Sequence, residues 1–74
     1  MAHNLAAEMS RIMSKAVRQG FTLTYVPPAF PGDLPRWTVA STREGYLGIE
    51  ATAGTPTRAY EGWAALCGLP MEPA

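Results

Sequence analysis

The chain has a single cysteine and a single histidine, and that shortage excludes much of the chemistry available to a small protein. One cysteine permits no intrachain disulfide, so the staples of small secreted domains are missing and a reducing, cytoplasmic setting is expected. His3 and Cys67 stand at opposite ends of the chain, which is not the ligand spacing of a structural zinc site. The carboxylates Glu8, Asp33, Glu44, Glu50, Glu61 and Glu72 are scattered and form no calcium or magnesium loop. His3 precedes the first helical pattern, where nothing holds it as rigidly as a triad or an acid–base pair requires. Cys67 falls on an apolar helical stripe near the helix C-terminus, whereas reactive thiolates are stabilised at helix N-termini; it reads as a core residue. No catalytic, cofactor-binding or metal-binding residue is assigned, and the chain is expected not to be an enzyme.

Charge of one sign is also lacking. Six basic and six acidic side chains give a formal net charge of zero, whereas a dedicated nucleic-acid binder carries a basic excess. No apolar run has the length of a membrane span. Met1-Ala2-His3-Asn4 lacks the charged, then apolar, opening of a signal peptide. A soluble protein without a membrane partner is expected.

What remains is a chain of 74 residues, 47% of them apolar, which suffices for one folded domain with a thin stability margin. Leu5, Met9, Ile12, Met13, Ala16 and Val17 recur at three- and four-residue steps and predict an amphipathic helix over 4–19. Asn4 is its N-cap, Gly20 its stop, and Lys15 and Arg18 complement the negative end of its dipole. From Phe21 the period changes to two, and 21–26 reads as a strand ending at Pro27-Pro28. Four of the seven prolines lie between Pro27 and Pro35, so this stretch reads as a stiff, extended connection with Phe30 and Leu34 exposed on it.

Residues 36–41 form a second strand with Trp37 and Val39 on one face. Thr42-Arg43-Glu44-Gly45 is a hairpin turn, and 46–53 a third strand with Leu47, Ile49 and Ala51 on one face and Gly48 as its weak point. Thr55 caps, and Pro56 opens, a helix over 55–67 whose stripe is Tyr60, Trp63, Ala64 and Cys67. Gly68 stops it, Pro70 and Pro73 prevent continuation, and 69–74 is a loose tail. Trp37 and Trp63 are assigned to the core, and Tyr25 and Tyr46 are left open between core and binding anchor. The expected fold is α+β: one small domain of order α-β-β-β-α, a three-stranded antiparallel sheet with two helices on one face and its other face open.

Three features suit binding. Arg11, Lys15 and Arg18 form a basic stripe on the polar face of the first helix, suited to phosphates or an acidic protein surface. Phe30 and Leu34 are apolar contacts on a stiff loop, where Pro28-Ala29-Phe30-Pro31 matches P-x-x-P. Arg43 and Glu44 lie at the hairpin tip.

The element order resembles the double-stranded RNA-binding domain, in which a glycine-containing turn leads into a helix opening with a phosphate-clamping lysine cluster. The matching positions are Thr55, Pro56, Thr57 and Arg58, of which Arg58 alone is basic. The stretch from Trp37 to Gly54-Thr55-Pro56, Ala59 and Ala64-Ala65-Leu66 resembles small phage-encoded helix–sheet sandwich proteins, and the chain is similar in kind to phage inhibitors of host defence, anti-CRISPR proteins included. That resemblance implies a non-enzymatic inhibitor, working in the host cytoplasm, that occupies a surface of a host protein complex such as a CRISPR-Cas effector. The alternatives are a nucleic-acid-binding domain and a homodimeric structural or regulatory subunit; the chain is thus expected as a monomer or a homodimer.

Overall fold

Asn4 starts the first helix, α1 (Leu5–Gln19), by accepting a 3.0 Å hydrogen bond from the Ala7 N–H on its side-chain oxygen. The computed structural model describes residues 4–68; the expectations for His3, Pro70, Pro73 and the 69–74 tail lie outside the described residues. Gly20 ends α1 in the left-handed conformation (φ 81), its N–H donating to the Ala16 carbonyl at 2.7 Å. The turn is also a crowded one. A Cβ on Gly20 would lie 2.7 Å from the Cβ of Arg43, so glycine is required there by space as well as by φ.

The chain then runs through β1 (Phe21–Val26), β2 (Arg36–Ser41) and β3 (Glu50–Ala53), a three-stranded antiparallel sheet in the order β1-β2-β3. Leu23 pairs with Val39 and Val39 with Ala51, while Thr24 pairs with Thr38 and Thr38 with Thr52. Side chains alternate across a strand, so these rows mark the two faces. Phe21, Leu23, Tyr25, Trp37, Val39, Ala51 and Ala53 face the helices. Thr22, Thr24, Thr38, Ala40 and Thr52 line the opposite face, where the hydroxyls of Thr38 and Thr52 are 2.9 Å apart.

The third strand starts four residues later than the alternation of Leu47, Ile49 and Ala51 implies. The Tyr46 N–H donates to the Arg43 carbonyl and the Ile49 N–H to the Tyr46 carbonyl, closing two consecutive turns. Gly45 (φ 91) and Gly48 (φ 93) take the third position of each, and neither Glu44 nor Leu47 has positive φ, which defines type II turns. Gly48 is therefore a turn residue, and Leu47 projects into solvent.

The second helix, α2 (Pro56–Cys67), has Thr55 as N-cap, its side chain accepting from the Arg58 N–H, with Pro56 at the first turn. It lies over β2 and β3, and α1 over β1, both on one sheet face. Ile12, Phe21, Trp37, Val39, Ala59, Tyr60, Trp63 and Ala64 make the core. Phe21 packs against Trp63 with ring centroids 4.8 Å apart and against Tyr60 at 5.5 Å. Trp63 is 1% exposed, and its indole N–H donates to the Ser41 hydroxyl at 2.7 Å. Cys67 is half-buried beside the core, with its sulfur 3.9 Å from the same hydroxyl.

One face of α1 differs from its apolar periodicity. Ile12 is buried with Met9 and Ala16 packed against the core, but Leu5 and Met13 are exposed and Val17 is 95% exposed, whereas Glu8 is buried. The reason is α2: the Thr57 N–H, at the start of that helix, donates to the Glu8 carboxylate at 2.8 Å. A carboxylate at a helix N-terminus meets unpaired N–H groups and the positive end of the dipole, which offsets the cost of burying Glu8.

Candidate functional site

The residues singled out from the sequence fall in three separate places. Arg11 and Lys15 are at the seam between the helices: the Arg11 guanidinium donates to the Thr57 hydroxyl at 2.9 Å, and the Lys15 ammonium sits 5.6 Å from the Tyr60 ring centroid. Gln19 joins the same seam by accepting from the Tyr60 hydroxyl at 2.8 Å. Arg18, one turn further along α1, is exposed. The stripe thus serves in part to tie α1 to α2. Where the two helix starts converge, a shallow groove is lined by Arg11 and Arg58 but equally by Glu8 and Glu61, so it carries no excess of either sign.

Arg43 and Glu44 are exposed at the far end of the sheet, in the first of the two type II turns. The Arg43 guanidinium lies 5.4 Å from the Tyr46 ring centroid, and its Cβ is the atom that crowds Gly20. Tyr25 lies on the helix side of β1, its ring tilted against Trp37 with centroids 5.0 Å apart, and is 48% exposed.

Phe30 and Leu34 are the most distinctive of these residues. They are 63% and 74% exposed, and the loop that carries them is locked from within. The Asp33 N–H donates to the Phe30 carbonyl at 3.0 Å, with Gly32 at φ 91, so Phe30-Pro31-Gly32-Asp33 is a type II turn with proline and glycine in their favoured positions. The connection is therefore turned rather than extended throughout. One oxygen of Asp33 accepts from the Ala29 N–H at 2.9 Å; the other accepts from the Leu34 N–H at 2.9 Å and from Arg36 at 3.3 Å. The Ala29 hydrogen bond, with smaller help from Leu34 and Arg36 and against partial desolvation, holds the Asp33 carboxyl below its ordinary value.

Phe30, Leu34 and Pro35 thereby form one wall of a shallow groove whose remaining lining includes Arg36, Thr52, Ala53 and Gly54. Sequence reasoning found Phe30 and Leu34 but missed Asp33. Its signal was present: an Asp following Pro-Gly is a residue type whose side chain bonds nearby backbone N–H groups.

Among the described residues, no group of three or more His, Cys, Asp or Glu is placed to hold a metal ion. No helix among them is long and apolar enough to cross a membrane. No family model matches this chain, and neither a curated protein nor a solved structure does.

Proposed function

We propose that this chain is a non-enzymatic protein-binding module that inhibits or modulates a larger complex by occupying one of its surfaces, with Phe30 and Leu34 as its principal contacts. The observation that carries this reading is the Asp33-locked loop. Two large apolar side chains stand in solvent on a segment fixed by a type II turn and by hydrogen bonds to one carboxylate. An exposed apolar pair held in place loses little conformational entropy when a partner covers it, which is how a small interface gains affinity. The class of complex we propose, from the likeness to phage inhibitors of host defence, is a host assembly such as a CRISPR-Cas effector, met in the host cytoplasm.

The test is a nuclease-treated pull-down from host lysate with the parent chain and with a Phe30→Ala, Leu34→Ala variant. The expected result is a protein complex retained by the parent, lost with the variant, and inhibited by the parent in an activity assay. Equal retention by both refutes the role of the loop. A salt-sensitive shift of duplex RNA at micromolar protein, with no retained complex, favours a nucleic-acid-binding domain instead.

A further inference from the structure

The two edges of the sheet are unequal. β3 is four residues long and begins with the exposed carboxylate Glu50. Short edge strands and charges are the usual protection against pairing with another chain. β1 has neither: Phe-Thr-Leu-Thr-Tyr-Val is six residues long and carries no charge, proline or glycine.

The direction of its unpaired backbone groups follows from two hydrogen bonds. The Thr42 N–H donates to the Gly20 carbonyl across the β1–β2 ladder, and the Ser41 N–H donates to Ile49 on the β3 side. Antiparallel hydrogen-bonded pairs alternate along a ladder, so Thr22, Thr24 and Val26 bond to β2. Phe21, Leu23 and Tyr25 then aim their N–H and C=O groups outward, where no strand among the described residues lies.

The borders of this edge are apolar or neutral as well. On the helix side, α1 reaches α2 through Glu8, Arg11, Lys15 and Gln19. Met13 and Val17 lie on the opposite side of the same helix, 53% and 95% exposed. On the other sheet face the edge shows the exposed Thr22 and Thr24.

From these observations we infer that β1 is a homodimerisation edge, and that its occupant is β1 of a second copy. The outward groups allow an antiparallel register centred on Leu23. Phe21 faces Tyr25 of the other copy and Leu23 faces Leu23, each pair exchanging two backbone hydrogen bonds. Thr22 then stands opposite Thr24, a neutral pair of the kind that Thr38 and Thr52 already make within the sheet. No like charges meet across the axis, and a two-fold interface needs that self-complementarity. The Met13–Val17 flanks of the two α1 helices border the joined strands. A strand pair about 20 Å long with two helix flanks buries on the order of 1,000 Å² in total, the small end of specific interfaces, so dissociation in the micromolar range is expected.

The test is sedimentation equilibrium of the full chain from about 5 to about 500 µM, a range that brackets micromolar dissociation, with amide hydrogen exchange at both ends of it. The weight-average mass should rise from 8.0 kDa toward twice that value. The Leu23 and Tyr25 amides should become at least about tenfold more protected at the high concentration, whereas those of Thr22 and Thr24, already bonded to β2, should not change comparably. A Met13→Glu, Val17→Glu variant alters only exposed positions of α1 and should stay monomeric with an unchanged circular dichroism spectrum. A single 8.0 kDa species throughout the range overturns the inference. So does a dimer in which the Leu23 and Tyr25 amides exchange at the same rate at both concentrations, or a variant as dimeric as the parent.

Discussion

Gly20 and Gly68 both end their helices in the left-handed conformation (φ 81 and 75), yet their surroundings differ. Among the described residues, a Cβ at Gly68 meets nothing within 4 Å, whereas at Gly20 it meets the Arg43 Cβ at 2.7 Å. Gly68→Ala therefore costs only the left-handed conformation, about 1–2 kcal/mol for a residue with a Cβ. Gly20→Ala costs that plus the overlap with an atom fixed to the backbone of the 43–46 turn, an overpacking of about 1–3 kcal/mol. A domain of this length has roughly 4–11 kcal/mol of total stability, so the sum of about 2–5 kcal/mol is a large part of it. With about 4–8 °C per kcal/mol, Gly20→Ala should melt roughly 8–40 °C below the parent and Gly68→Ala roughly 4–16 °C below. Tryptophan fluorescence reports the transition, because Trp63 is 1% exposed in the folded state.

A double-mutant cycle separates the two contributions. Arg43→Gly removes the obstructing Cβ, so Gly20→Ala in that background should cost about as much as Gly68→Ala, with a favourable coupling of at least about 1 kcal/mol. A coupling near zero, or a Gly20→Ala cost equal to that of Gly68→Ala, would show that the close approach of the 43–46 turn to Gly20 has no energetic weight.

Three further outcomes follow from buried or locked polar groups. Ser41→Ala leaves the buried Trp63 N–H without its acceptor and should cost about 1–3 kcal/mol in urea denaturation; a loss below about 0.5 kcal/mol refutes the assignment. Glu8→Ala removes the acceptor of the Thr57 N–H at the start of α2 and should destabilise by about 1–2 kcal/mol, against a change within about 0.5 kcal/mol for Glu61→Ala on the exposed face; equal effects would contradict the capping role. The Asp33 carboxyl is held below 3.8 in the folded loop, so the ordering it provides is present above that value and lost as pH falls through its lower folded value. The Ala29 amide resonance should accordingly titrate with a midpoint below 3.8, and a midpoint at or above it refutes the lock.

The two helices and the first two strands were legible because their signals are local. Asn4, Gly20, Thr55, Pro56 and Gly68 act on backbone groups within a turn of themselves, and each stands where its chemistry requires. The alternation of Trp37 and Val39 with the smaller or polar Arg36, Thr38 and Ala40 likewise marks the buried face of β2. The start of β3 was misread because two local signals compete: Leu47, Ile49 and Ala51 alternate as in a strand, while Gly45 and Gly48 are spaced for consecutive turns. The turns prevail, since their two hydrogen bonds close within four residues each and need no distant partner.

Of the candidate site, the exposure of Phe30 and Leu34 was legible, as proline removes that stretch from the sheet and the helices. The lock on the loop was less so, because Asp33 acts through hydrogen bonds whose geometry depends on the turn. The basic stripe was legible as a pattern but not as an environment. Arg11 and Lys15 share a face on any helix; that this face meets Thr57 and Tyr60 depends on where α2 lies.

By itself, then, the sequence determined the order of the elements, their caps and the class of fold. Only the tertiary structure decided which part of α1 is inside, with Glu8 buried and Val17 in water, and that β1 lies at an edge of the sheet among the described residues. Capping and alternation are set by bonds between near neighbours in the chain, whereas burial and edge exposure are set by residues nearly fifty positions away, such as Thr57 against Glu8.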